Sequence, residues 1–404
     1  MGQGSAKVRA MIRIFALVFF LVTLPLSAAV DLGIDVLKSQ GFAPLAGKRV
    51  GLVTNQTGVD SAGTKTRLIL KRAQGVQLVA LYSPEHGIDG TVGAGKYVAS
   101  RKDAATGLTV HSLYGPTRKP TPEMLRGIDV LVYDMQDIGV RSYTYVSTMA
   151  KCMEACGEQK IPFIVLDRPN PLGGTRVEGP GIEGKWISFV GQLPVPYLHG
   201  MTVGELAKMA NAHGWAGGRC QLTVVPMQGW TRDMTWQHTG LRWVQTSPNI
   251  PRAASVPYYA ATSIFGSLEG AALDVGIGTD APFQCAGKCG LDSAAFVREL
   301  QSCGLRSAEP YSRKEFAGAR LSLSADSAVN LAAVNIQLLC AAQKFSRGSI
   351  FARYRDADNI LWKIYGSTSL RTQIEKGVSA AAIIAGWQSV AERFRSARQA
   401  YLLY

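Results

Sequence analysis

The fold class predicted by this 404-residue sequence is α/β: an open, doubly wound parallel sheet followed by a second α/β or mainly helical domain. Three observations predict it. Five short β-branched runs, "KRVGLVT", "VQLVALYS", "IDVLVYDM", "IPFIVLD" and "CQLTVVPM", are apolar on both faces, the pattern of strands covered on two sides. Helical segments such as "TKTRLILKRAQ", "TPEMLRG" and "SYTYVSTMAKCMEACGEQ" lie between them, and strand–helix alternation from about residue 45 into the 220s calls for parallel strands joined by crossovers. Polar and ionisable residues crowd just after four of the strands, where ligands of such sheets bind.

In chain order, residues 1–29 read as a secretory signal peptide. Lys7, Arg9 and Arg13 precede an apolar run from Ile14 to Val22, and the segment ends in small residues, Ser27-Ala28-Ala29. The run is too short to span a bilayer, and no cysteine follows it to carry a lipid, so an exported protein without a stable membrane anchor is expected, with the periplasm as its compartment. Residues 30–251 then form the sheet domain. The boundary falls after the proline-bearing loop "TSPNIPRAASVP", and residues 252–404 form a second domain with helices in "PYYAATSIFGSLEG", "DSAAFVRELQSC", "SADSAVNLAAVNIQLLCAAQ" and "VSAAAIIAGWQSVAERFRSARQAYLLY".

The formal charge is +14, of which Lys7, Arg9 and Arg13 supply three, leaving +11 over residues 30–404. A basic exported protein suits an anionic polymer such as cell wall. The Lys and Arg residues are scattered, with no basic helix or aromatic-interleaved groove, so nucleic acid is not an expected partner. Seven cysteines leave at least one thiol unpaired: Cys152 and Cys156 fall on one helix face as core packing, and Cys285 and Cys289 are spaced to close a small disulfide loop.

The strand ends give the candidate site. They offer Asn55 and Gln56 in "TNQTG", Glu85 and His86 in "SPEHG", and Asp134, Gln136, Asp137, Arg141 and Tyr143 in "YDMQDIGVRSYTY". The fourth offers Asp167, Arg168 and Asn170 in "LDRPNPLGG" and leads to Glu178 in "VEGP". Asp134 and Asp167 each have an equally good reading as helix caps or turn formers, and Asp-Arg-Pro-Asn-Pro as a rigid turn with a local ion pair. Glu85-His86 resists such a reading, because both follow a buried strand directly and neither is a favoured cap after proline. Several carboxylates near a histidine and an arginine fit glycosidic hydrolysis, which uses one protonated carboxyl to release the leaving oxygen and usually a second as base or nucleophile. The sequence has no GxSxG elbow, no P-loop spacing around "GAGKY", and no GxGxxG after the first strand; its five histidines lack metal-ligand spacing. No cofactor and no metal are expected.

Taken together, "GKRVGLVTNQTGVD", "SPEHGIDG", "TGLTVHSLYG", "DVLVYDMQDIGVRSYTYVSTM", "FIVLDRPNPLGG", "VEGP", "HGMTVGELA", "SPNIP" and the terminal "YLLY" resemble the NamZ-type exo-β-N-acetylmuramidases over nearly all of the chain after residue 29. The resemblance implies a Rossmann-like N-terminal domain, a smaller C-terminal α/β domain, and an active-site cleft between them that removes N-acetylmuramic acid from the non-reducing end of peptidoglycan fragments, with no metal or nucleotide. It implies Glu85 as general acid beside His86, and leaves Asp137, Asp167 and Glu178 open as the second carboxylate. Asn55, Arg141, Tyr143, Arg168, Asn170, His199 of "HGMT", Asn249 of "SPNIP" and Glu269 would line the pocket. One stretch departs from the family pattern E-G-T-N-x-S-x-G-R-G-T-x-x-P-F-E. Here it reads "EGAALDVGIGTDAPFQ", with Ala271-Ala272 for Thr-Asn, Ile277 for the arginine and Gln284 for the last glutamate. Loss of that arginine removes a charge-assisted partner for a lactyl carboxylate. A muropeptide-binding protein that keeps the cleft without catalysis is the alternative expectation.

Overall fold

The computed structural model describes residues 30–268, 271–352 and 359–404. The signal-peptide reading of 1–29 and the candidate Glu269 lie outside these residues. The first domain runs α1 (Gly33–Ser39), β1 (Arg49–Thr54), α2 (Thr66–Arg72), β2 (Gln77–Ser83), β3 (Arg101–Lys102), β4 (Thr109–Ser112), β5 (Val130–Asp134), α3 (Tyr145–Gln159), β6 (Phe163–Leu166), α4 (Val203–His213) and β7 (Leu222–Val225). Its seven strands lie in the order β3-β4-β2-β1-β5-β6-β7, all parallel except the β3–β4 pair. The five predicted runs are β1, β2, β5, β6 and β7. They were readable because the sheet is covered on both faces: in β5, Val130 and Val132 join one apolar layer with Ile34, Leu37 and Leu70, while Leu131 and Tyr133 join another with Met149 and Met153 of α3. Each fully buried Val or Leu of this kind contributes roughly 1.5–3 kcal/mol.

The second domain contains α5 (Val256–Gly266), β8 (Leu273–Asp274), β9 (Cys285–Cys289), α6 (Ser293–Ser302), β10 (Ala308–Arg313), β11 (Phe316–Leu321), α7 (Leu331–Lys344), α8 (Ile360–Tyr365), α9 (Ser369–Glu375), α10 (Ala380–Ala385) and α11 (Gln388–Arg398). Its four strands form an antiparallel sheet ordered β10-β11-β9-β8. Gly287 and Gly318 face each other across β9 and β11, so close that a Cβ on Gly287 would sit 2.2 Å from the Ala317 carbonyl oxygen.

Three sequence expectations are corrected here. "TPEMLRG" forms successive turns ending at Gly127 (φ 80°): the Leu125 N–H reaches back four residues to Thr121, but the Arg126 and Ile128 N–H groups reach back only three, to Glu123 and Leu125, and the left-handed glycine stops the run. The terminal helix is two helices, broken at Gly386-Trp387. Cys285 and Cys289 form no disulfide; they sit four residues apart on the extended strand β9, about 13 Å by strand rise, beyond the reach of an S–S bridge, and all seven cysteines are free. Cys152 and Cys156 are buried in α3.

Candidate active site

Glu85 and His86 follow β2 without an intervening residue other than Pro84, which has no N–H to extend the ladder. The chain then reverses through His86 (φ 70°) and Gly87 (φ 77°), with the Gly87 N–H bonded to the Pro84 carbonyl. A left-handed histidine is uncommon and is held only where its surroundings fix it. Here Val92 does so: its N–H reaches the His86 carbonyl at 3.2 Å, and its own carbonyl lies 2.7 Å from His86 Nδ1. A carbonyl can only accept, so Nδ1 carries a proton, and in the tautomer this fixes, Nε2 is the acceptor.

Glu85 is held as tightly. Its Oε1 accepts the Gly95 N–H at 2.7 Å, and its Oε2 accepts the Thr144 hydroxyl at 2.6 Å. The hydroxyl can reverse its role and the N–H donates in either case, so both protonation states of the carboxyl keep their partners.

These residues open on a cavity of about 370 Å³, the volume of a small-molecule site. The sheet domain supplies Glu85, His86, Gly95, Tyr114, Ser142–Thr144 and Asn249, and the second domain supplies Tyr259, Phe283, Ile360 and Ile364. The wall is aromatic: Tyr143 meets Tyr259 edge-on with centroids 5.8 Å apart, and Tyr259 meets Phe283 at 5.0 Å. The Tyr143 hydroxyl is buried without a hydrogen-bond partner. Among the described residues, Glu85 is the only carboxylate lining this cavity.

Of the residues singled out in the sequence, the cavity therefore gathers Glu85, His86, Tyr143 and Asn249. The others that lie among the described residues are placed elsewhere, each engaged by the fold. Arg141 is 1% exposed, and its two terminal nitrogens donate to the carbonyls of Pro180, Val195, Ile364 and Tyr365 at 2.8–2.9 Å, so it ties α8 to the sheet domain and presents no free fork to a ligand. Glu178 accepts Arg176 at 2.7 Å and the Leu331 N–H at 2.7 Å, which makes it an anion anchoring the N-terminus of α7. Arg168 pairs with the fully buried Asp134 at 2.5 Å and donates to the Val59 carbonyl. It borders a separate cavity of about 60 Å³ with Thr57 and Gln136, room for a few waters and not for a sugar. Asn170 bridges Leu172 N–H and the Met201 carbonyl, and Asn55 accepts from both N–H and hydroxyl of Thr57. His199 takes the Met201 N–H on Nδ1, and burial together with Arg398 and Arg141 lowers its pKa to about 3, keeping it neutral.

Two buried aspartates complete the picture. Asp167 accepts the hydroxyls of Thr202 and Tyr404, each at 2.7 Å, and the Gly204 N–H at 2.8 Å; a Cβ on Gly204 would lie 2.7 Å from its carboxyl carbon, so glycine is what lets α4 approach. Burial raises it to about 6 despite these donors. Asp137 is raised further, to about 7, again by burial; its Oδ1 accepts Gly139 N–H at 2.7 Å and its Oδ2 has no partner. Asp137 stands behind Tyr143 and does not line the cavity.

Sequence reading missed Tyr114, Thr144, Tyr259 and the Gly95 N–H. The segment "GAGKY" carried the only available signal, a glycine pair eight to ten residues after Glu85, and was read as a loop without a role.

The chain is similar to known proteins over nearly all of its length. Residues 50–254 match the family model described as exo-beta-N-acetylmuramidase NamZ, N-terminal, and residues 258–404 its C-terminal counterpart. The peptidoglycan beta-N-acetylmuramidase NamZ of Bacillus subtilis (strain 168) is 38% identical over 389 residues, 93% of this chain and 91% of that protein. Two DUF1343 family proteins of Bacteroides fragilis NCTC 9343, known from crystal structures, are similar in fold. They have TM-scores of 0.84 and 0.74 at 39% and 29% identity, each comparison covering 93% of this chain and 99% of the other. The chain thus belongs to the NamZ exo-β-N-acetylmuramidase family, whose N- and C-terminal models together span both of its sheets.

Proposed function

We propose that this glycosidase, a peptidoglycan hydrolase by family, is exported and releases N-acetylmuramic acid from the non-reducing end of peptidoglycan fragments, with Glu85 as general acid. The observation that carries the reading is the Glu85 carboxylate, alone among the described residues in lining a monosaccharide-sized cavity and fixed there by the Gly95 N–H and the Thr144 hydroxyl. The bond between C1 of the sugar and the leaving oxygen breaks as the Glu85 proton passes to that oxygen, and water then adds its hydroxyl to C1 while its other proton returns to the Glu85 carboxylate. The rings of Tyr143 and Tyr259 offer apolar faces to the sugar's C–H groups, and His86 Nε2 offers an acceptor to a sugar hydroxyl. Export is supported by the basic and apolar pattern of residues 1–29, and among the described residues no helix is long and apolar enough to cross a membrane.

The test is release of nitrophenol from 4-nitrophenyl β-N-acetylmuramide by purified residues 30–404. Hydrolysis supports the reading; binding of a disaccharide-peptide without turnover would show a binding protein instead. Cell fractionation checks export, which fails if the full-length chain stays in the cytoplasm unprocessed.

A further inference from the structure

The wall of the cavity next to Glu85 is made by Tyr114, and behind that ring lies an arginine that the fold leaves unspent. The Arg118 guanidinium carbon sits 3.6 Å from the centroid of the Tyr114 ring and 4.6 Å from that of Phe189, whose neighbour Val190 also lines the cavity. Among the described residues no carboxylate pairs with Arg118, and it donates no hydrogen bond of standard geometry to any carbonyl. Other half-buried or buried arginines are engaged: Arg67 with Asp89, Arg168 with Asp134, Arg176 with Glu178, Arg232 with Glu205, and Arg141 and Arg398 with backbone carbonyls. A guanidinium stacked by its face keeps its N–H edge available, and that edge matches a carboxylate in a bidentate pair.

Its position relative to the acid matters as much as its freedom. The Tyr114 hydroxyl is within electrostatic reach of both groups: burial, and after it the Glu85 carboxylate, raises its pKa, and the Arg118 guanidinium opposes that rise. Tyr114 is thus one side-chain width between a proton donor and a free cation. In a pyranose bearing a carboxylate on a 3-O-ether, the oxygen on C1 and the ether on C3 are separated by one ring atom, C2. Arg118 itself does not line the cavity but stacks on Tyr114, which does, so a sugar seated with its C1 oxygen at Glu85 and its C3 edge at Tyr114 carries such an ether to the ring on which the guanidinium rests. The loop that carries Phe283 has the exposed Ile277 where the family pattern has an arginine.

We infer that Arg118 is a specificity-determining residue that binds the 3-O-lactyl carboxylate of the substrate sugar, presented by its stack on Tyr114 and Phe189. This rests on the proposed action on N-acetylmuramic acid. It also gives Tyr114 two duties: spacing the carboxylate from Glu85, and holding the guanidinium plane.

The test pairs sugars that differ only in the lactyl group. Calorimetric binding of free N-acetylmuramic acid and of N-acetylglucosamine is measured for the wild type, Arg118→Met and Arg118→Lys, alongside turnover of the two 4-nitrophenyl β-glycosides. The expected result is a loss of about 10- to 100-fold in affinity for N-acetylmuramic acid, and a matching rise in KM for its glycoside, in Arg118→Met. Arg118→Lys recovers part of the loss, and the affinity for N-acetylglucosamine changes by less than about threefold. An equal loss on both sugars, or none on either, overturns the inference. If the wild type binds N-acetylmuramic acid through Arg118 but does not hydrolyse its glycoside, the inference stands and the hydrolytic reading falls. If the wild type does not prefer the lactyl sugar, the inference falls alone where the glycosides are hydrolysed, and with that reading where they are not.

Discussion

Two sets of carboxylates stand at the C-terminal ends of the same sheet, and the fold treats them in opposite ways. After β2, Glu85 faces a 370 Å³ cavity with one N–H and one hydroxyl as its partners. After β5 and β6, Asp134 and Asp167 are fully buried; the first is bound by Arg168 and Thr66, the second by Thr202, Tyr404, Gly204 and Arg168 N–H. Strand-end acids thus serve either chemistry or architecture, and what separates them is the supply of internal partners. An acid saturated by cations and backbone donors is a structural joint; one left facing space is free to react.

Substitutions sharpen this contrast. The largest effect is expected at the reactive acid. Glu85→Gln lowers kcat about 10²- to 10⁴-fold while leaving the urea midpoint near that of the wild type. Because nitrophenol departs more easily without a proton than a sugar alcohol does, the loss on a disaccharide exceeds the loss on a nitrophenyl glycoside; equal losses would remove Glu85 from the role of proton donor. Arg168→Met should behave in reverse. It strands the buried Asp134 carboxylate and lowers stability by about 3–5 kcal/mol by chemical denaturation, with kcat of the folded fraction preserved. A variant with normal stability and lost activity would move Arg168 into the site.

Asp137 tests the boundary between the two sets. Burial holds it protonated in the folded chain up to about 7, whereas an unfolded aspartate ionises near 4. The folded protein therefore binds more protons over that interval, so stability falls as pH rises from about 4 to about 7. Asp137→Asn removes this part of the slope, leaving the smaller contribution of Asp167, which ends at about 6. Urea midpoints at several pH values measure it; retention of activity by the variant assigns Asp137 to architecture, and a loss comparable to that of Glu85→Gln makes it the second catalytic group. The smallest effect is expected from Tyr404→Phe, which removes one hydrogen bond to Asp167 and one from Met227 N–H and costs about 1–3 kcal/mol of thermal stability without altering kcat.

The same contrast explains what could be read from the sequence. β1, β2, β5, β6 and β7 were legible because burial on both faces writes itself as an uninterrupted β-branched run. Glu85 was legible because it directly follows such a run. The antiparallel sheet was not: "CAGKC" and "FAGARL" carry glycine and alanine where β-branched residues would announce a strand, since Gly287 and Gly318 must pass without side chains. Arg141 and Glu178 looked like site residues for the same reason that Glu85 did. Their partners, the carbonyls of Ile364 and Tyr365 and the N–H of Leu331, lie more than 150 positions away, and a local pattern cannot display them.

Those distant partners have a consequence for how the molecule comes apart. Arg141 grips α8, Glu178 grips α7, Arg398 grips the carbonyls of His199 and Gly200, and Tyr404 grips Asp167. Each domain thus holds buried polar groups that the other helps to satisfy, so each half loses hydrogen bonds once its companion melts. The cavity between them is the seam of a single cooperative unit, and heat should open it only by unfolding both sides in one transition.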